Sequence, residues 1–192
     1  MWGRDAVGAL EGGGSVTGRA AQLAESIRMV VLDVDGVLTD GSVLYGETNQ
    51  AEIKAFNIKD GLGIKLLLDN GIEVAIITGR SSEAVTRRME ELAVKIVLQG
   101  REDKREALLE ILKPRSIPLA QVAYMGDDLP DLDPLRMVGL ATCPSDAVSA
   151  VCDVADWRAP CPGGRGAVRA LSDFILGAQG MRTPYQDQEP DH

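Results

Sequence analysis

The 192-residue chain is 45% hydrophobic, 26% charged and 4% aromatic, an ordinary globular composition with enough length to bury one core. Its 29 acidic and 20 basic residues leave a formal charge of −9, which argues against non-specific nucleic-acid binding and against an anionic membrane surface. A small anionic substrate stays open, because local charge decides that.

Cys143, Cys152 and Cys161 are odd in number and lack Cys-x-x-Cys spacing, so they read as thiols in a reducing cytosol rather than as a disulfide framework or zinc site. No apolar run reaches the roughly 18 residues of a membrane span, and the N-terminus lacks a signal-peptide pattern. A soluble, cytoplasmic protein is expected.

In chain order, residues 1–26 are rich in Gly and Ala, and Gly12-Gly13-Gly14-Ser15 resembles a linker. They read as a disordered arm, with a short helix available from Ala20 to Ile27. Met29 to Val34 is almost wholly apolar, as a strand buried on both faces should be. Val43 to Tyr45 and Glu52 to Phe56 flank Gly46-Glu47-Thr48-Asn49 and predict a β-hairpin insert over about 42–56. It is too small for a cap domain and suits a flap or an oligomer contact. Helices are predicted at Asp60 to Asn70, Ser81 to Leu92, Asp103 to Leu112 and Ala167 to Leu176. Strands are predicted at Val74 to Thr78, Ile96 to Leu98, Val122 to Met125 and, as a short edge, Gly139 to Thr142. A polar tail, 181–192, should fray. Alternating strands and helices imply an α/β, Rossmann-like domain over 27–180: a parallel sheet with helices on both faces, binding ligands at the carboxyl ends of its strands.

Four polar features fall at those strand ends. Asp33 and Asp35 close the first strand, two residues apart and therefore on one face. Two carboxylates so close need a cation, and Mg²⁺ prefers such hard oxygen ligands. Thr78-Gly79-Arg80 closes the second buried strand, where a hydroxyl and freed amides can hold phosphate oxygens. Lys104 opens a helix and offers a compact positive charge. Gly126-Asp127-Asp128-Leu129-Pro130-Asp131 supplies further carboxylates. Each alone suits a cap, a turn or a solvated helix lysine; four in this order at four strand ends point to a phosphoryl-transfer site.

These motifs resemble those of the haloacid dehalogenase superfamily of phosphatases over about residues 28–180. The segments DVDGVLTDG, KAFNIKDGLGIKLL, IITGRSSEAV, QGREDK, QVAYMGDDLPD and GGRGAVR further resemble the 3-deoxy-D-manno-octulosonate (KDO) 8-phosphate phosphatases. The resemblance implies a capless homotetramer assembled through the hairpin, supplying KDO for lipopolysaccharide. It implies Asp33 as nucleophile and metal ligand, and Asp35 as general acid/base and backbone-carbonyl ligand. Asp127 is then the third protein ligand to Mg²⁺, with Asp128 and Asp131 supporting it. Thr78, Gly79 and Lys104 bind phosphate. Arg80 and Arg88 meet the sugar acid, and the Gly163-Gly164-Arg165-Gly166 loop, with Arg165, resembles a segment that closes over a neighbouring site. A related class acting on a nine-carbon keto-sugar acid 9-phosphate carries Glu where this chain has Arg80, which favours the eight-carbon substrate.

Two readings of other classes compete. A phosphorelay receiver also combines acids, Thr and Lys, but presents its acid pair first and its phosphorylated Asp on a later strand. A non-catalytic oligomerisation domain would not need the full motif set. A dinucleotide site is weaker, since no Gly-x-Gly-x-x-Gly follows the first strand.

Overall fold

A computed structural model describes residues 16–46 and 52–181. The expected linker at 12–15, most of the hairpin turn and the tail from 182 lie outside the described residues.

Six strands form one parallel sheet in the order β5-β4-β1-β6-β7-β8: β1 (Met29–Leu32), β4 (Glu73–Ile77), β5 (Ile96–Leu98), β6 (Val122–Met125), β7 (Leu140–Cys143) and β8 (Trp157–Arg158). A separate antiparallel pair, β2 (Leu44–Tyr45) and β3 (Glu52–Ile53), is the expected hairpin. The helices are α1 (Val16–Ala24), α2 (Ile58–Asp69), α3 (Glu83–Glu91), α4 (Lys104–Leu112), α5 (Leu132–Met137), α6 (Ser149–Cys152) and α7 (Ala167–Ala178). A 3₁₀ turn, Leu129–Asp131, leads into α5.

Strand alternation splits the core into two layers. Val30, Leu32, Val74, Ile76, Ala123 and Met125 face α1, α2, α3 and α7. Met29, Val31, Ala75, Ile77, Val122 and Tyr124 face α4, α5 and α6. Burial on both sides is why these strands read as continuous apolar runs. The Asp60 carboxylate ties α2 to α7 by accepting from Gly166 N (3.2 Å) and Arg169 N (2.8 Å), filling orphan donors at a helix N-terminus.

Two expectations change. The arm expected over residues 1–26 contains α1 from Val16, whose Ala20 and Ala24 are buried in the core beside α7. Its small apolar residues drive packing that the glycine-rich composition concealed. The strand expected as an edge, Gly139 to Thr142, is interior as β7, because β8 pairs Trp157 with Thr142 outside it. Two residues are too short a run for strand periodicity to show.

The register fixes the site. Leu32 at the end of β1 lies level with Ile76 of β4 and Met125 of β6. Asp33, Thr78 and Asp127 therefore emerge along one edge. The chain runs from β1 to β4 on one side, then returns to β6 on the other, so β1 and β6 flank the switch point where such sheets open a crevice.

Candidate active site

The crevice is a cavity of about 500 Å³ at this edge, lined by Asp33, Asp35, Gly36, Gly41, Thr78, Gly79, Arg80, Glu102, Lys104, Asp127, Asp128, Pro130 and Asp131. Of the residues named from sequence, Arg88 and Arg165 do not line it. Arg88 bonds Glu91 (3.3 Å) and lines a smaller cavity with Lys54 and Phe56. Arg165 pairs with Asp40 (3.3 Å) on the exposed surface.

At the centre, oxygens of Asp33, Asp127 and Asp131 lie within 4.8 Å of one another. Lys104, buried at the first turn of α4, bonds Asp33 Oδ2 and Asp131 Oδ1, both at 2.7 Å. Val34 N donates to Asp33 Oδ1 (2.6 Å), which fixes that carboxylate to its own strand end. Asp131 accepts on both oxygens: Lys104 and the Tyr124 hydroxyl (2.7 Å) on Oδ1, and the amides of Asp127 (3.2 Å) and Asp128 (3.4 Å) on Oδ2. Those four donors leave Asp131 suited to holding the 126–131 loop in shape. Asp128 caps the same loop by accepting from Leu129 N (2.7 Å).

One lysine faces three carboxylates here, and the electrostatics record the imbalance. Burial first, then Asp131, pushes the Asp33 carboxyl up to about 6 despite Lys104. Burial, Asp33 and Asp131 push Asp127 up to about 7. Burial pulls the Lys104 ammonium down, but Asp33 and Asp131 outweigh it and raise its pKa. Burial and Asp131 hold the Tyr124 hydroxyl protonated, as a donor. A crowded, under-neutralised set of hard oxygen donors fits a divalent cation such as Mg²⁺, with Asp33 and Asp127 as the residues that would hold it.

Glycines let this approach happen. Gly36 has φ +80°, and a Cβ there would overlap the Asp127 carboxylate. Gly163 and Gly164 pack against the same turn: Gly164 N donates to Val37 O (2.9 Å), and a Cβ on Gly163 would overlap the Gly36 carbonyl. The Gly163–Gly166 loop thus buttresses its own chain's Asp33–Thr39 turn.

Sequence reasoning missed the hairpin's share of the site. Lys54 bonds the Asp35 carboxylate and lies 2.7 Å from Glu52, which also accepts from Arg80 Nε (3.3 Å). KAFNIKDG was visible as a segment, but no spacing rule aims Lys54 at Asp35. Glu102 also lines the cavity without having been singled out.

No protein-family model matches the chain. The KDO 8-phosphate phosphatase KdsC of Escherichia coli K12 is 43% identical over 167 residues, covering 87% of this chain and 88% of that protein. The crystal structure of the Moraxella catarrhalis KDO 8-phosphate phosphatase, in complex with magnesium, phosphate and KDO, is 42% identical with a TM-score of 0.82, covering 84% of this chain and 92% of that one. The cobalt-bound Haemophilus influenzae enzyme is 41% identical with a TM-score of 0.79, covering 83% and 92%. Such relatives bind a divalent metal, and this chain keeps an acidic cluster able to hold one. With this identity across most of both chains and the same fold, the chain belongs to the KDO 8-phosphate phosphatases, phosphoric monoester hydrolases of the haloacid dehalogenase superfamily.

Proposed function

We propose that the chain hydrolyses KDO 8-phosphate to KDO and inorganic phosphate through an aspartyl phosphate on Asp33, with Mg²⁺ bound. The observation carrying this reading is the convergence of Asp33 and Asp127, from adjacent strands, beside buried Lys104. In the first step an Asp33 oxygen attacks phosphorus in line while the bond to the sugar oxygen breaks. Asp35 gives that oxygen a proton. In the second step Asp35 takes a proton from water, which attacks phosphorus and frees Asp33. Lys104, Thr78 and the freed amides after β4 face the charge on the transferring group. Mg²⁺, held by Asp33 and Asp127, would supply positive charge to offset the anionic nucleophile and phosphate.

Arg80, at the cavity rim, suits a substrate carboxylate; Arg rather than the Glu of the nine-carbon class at this position favours the eight-carbon acid. Arg88 and Arg165 do not line this chain's own cavity, so the contacts proposed for them are left to the assembled oligomer. A homotetramer is part of the proposal: Leu44, Tyr45 and Ile53 of the hairpin, and the neighbouring Ile58, are each more than half exposed, an apolar face of the kind that assembly covers. A cytoplasmic enzyme is also part of the proposal; among the described residues no helix is long and apolar enough to cross a membrane.

The test is phosphate release from a panel holding KDO 8-phosphate, the nine-carbon 9-phosphate and glucose 6-phosphate, with Mg²⁺ and with chelator. The expected result is a preference for KDO 8-phosphate over both others, of at least about 100-fold in kcat/KM over glucose 6-phosphate, which lacks the carboxylate, and abolished by chelation; one missing charged contact is worth about that much. Preference for another phosphate overturns the substrate, and chelator-resistant turnover overturns the chemistry.

A further inference from the structure

Lys54 is a buried cation outside the phosphate-binding set. Its side chain is 1% exposed, and lysine is rarely so covered unless paired. Here it is paired twice, with Asp35 Oδ1 and with Glu52 Oε1 at 2.7 Å. Glu52 continues outward to Arg80 Nε at 3.3 Å. The side chains form a row of alternating charge, Arg80–Glu52–Lys54–Asp35, from the cavity rim to the turn after β1. They come from three segments: the turn after β4, the hairpin strand β3 with the residue following it, and the turn after β1.

The charges are self-consistent. Burial would lower the Lys54 pKa, but Asp35 and Glu52 outweigh it and raise it. Burial would raise Glu52, but Lys54 and Arg80 outweigh that and lower it. Among the described residues, Lys54 is the one side chain bonded to the Asp35 carboxylate. The bond engages Oδ1 and leaves Oδ2 for a proton. An acid on a glycine-bounded turn has rotamer freedom that such a contact removes.

We propose that Lys54, braced by Glu52, is a positioning residue for Asp35, so that the hairpin belongs to the catalytic apparatus as well as to any interface. The proposal rests on reading Asp35 as the general acid and base. Lys54 itself touches no reacting atom; it fixes which way the Asp35 carboxylate faces.

The experiment uses leaving groups of different basicity in the full-length enzyme with Mg²⁺. A sugar alkoxide needs the Asp35 proton to depart, whereas p-nitrophenolate does not. Lys54→Met, similar in length but uncharged, should lower kcat on the sugar phosphate about 10- to 100-fold, part of the range general acid catalysis covers. KM should move less than about 3-fold, and the burst of p-nitrophenol from p-nitrophenyl phosphate should stay within about 3-fold of wild type, since neither depends on the acid. Lys54→Arg should restore most of the loss. Glu52→Gln should show the same selectivity at smaller size, which keeps the idea testable if Lys54→Met fails to fold. Equal losses in burst and sugar-phosphate turnover, or a change confined to KM, would overturn the proposal. So would wild-type selectivity in Glu52→Gln. Asp35→Asn separates the two levels: if it too lacks leaving-group selectivity, the acid–base reading fails; if it shows selectivity and Lys54→Met does not, only the role of Lys54 fails.

Discussion

The Lys104 ammonium lies 2.7 Å from Asp33 Oδ2, joining the first turn of α4 to the end of β1 across 71 residues of chain. The bond holds one oxygen of Asp33 while Val34 N holds the other. A carboxylate held this way suits the attack proposed for it, yet burial raises it to about 6, so it is also a local source of instability.

Asp33→Asn separates those two effects. It keeps the shape, removes the proposed nucleophile and relieves a buried charge. Steady-state turnover should fall by about 10⁴-fold or more, the scale seen when a covalent nucleophile is lost. The melting temperature should hold or rise, because Lys104 keeps Asp131. Wild-type activity in the purified variant rejects the nucleophile assignment.

Much of the fold was legible because its strands are buried on both faces. Val122 to Met125 and Ile96 to Leu98 were delimited as the structure has them, and α2 stops at Asp69, just ahead of the expected stop signal Gly71, with φ +79°. β8 and α6 escaped notice because two and four residues carry no periodic signal. Within the site, residues that follow a strand directly were readable: Asp33, Thr78 and Asp127 are placed by strand register alone. Lys54 and Glu52 reach Asp35 and Arg80, which line the crevice, by the path of a hairpin, which is tertiary information. For Arg88 and Arg165, α3 and the Gly163–Gly166 loop could be located, but their side-chain directions could not.

Asp131 offers a test of support rather than chemistry. Fully buried, it satisfies Lys104, Tyr124 and two backbone amides. Asp131→Ala would leave the Tyr124 hydroxyl and the two amides without this acceptor, while Lys104 keeps Asp33. An unsatisfied buried donor costs about 1–3 kcal/mol, so chemical denaturation should show a loss of at least that order. Tyr124→Phe removes one neutral donor and should cost about 1 kcal/mol. If Asp131→Ala unfolds at the wild-type denaturant concentration, the loop does not depend on this anchor.

Gly36 and Gly163 test how tightly the Asp33–Thr39 turn is enclosed. Gly36→Ala meets two penalties: a left-handed φ of +80°, worth about 1–2 kcal/mol, and overlap with the Asp127 carboxylate. Gly163→Ala meets the Gly36 carbonyl from the other side. Both should lower turnover. Gly36→Ala should in addition weaken Mg²⁺ binding, because Asp127 must move. Gly71→Ala has the same positive φ but open space around the added carbon, and it lies far from the crevice, so it should lose stability without losing activity. Equal activity losses in all three would point to general destabilisation instead.

The raised carboxyls at Asp33 and Asp127 fix the sign of a pH effect. Each has its folded pKa, about 6 and about 7, above the unfolded value of 3.8. Their contribution to the stability of the metal-free protein is therefore present below about pH 4 and is lost as pH rises through 6 to 7. Divalent cations bind the deprotonated pair, so their effect runs the other way. Added Mg²⁺ should raise the melting temperature little at pH 5 and progressively more toward pH 8, as both groups ionise. Melting curves at fixed ionic strength, with Mg²⁺ and with chelator, measure this difference. A Mg²⁺-induced shift of the same size at pH 5 and pH 8 would mean that the cation binds somewhere other than between Asp33 and Asp127.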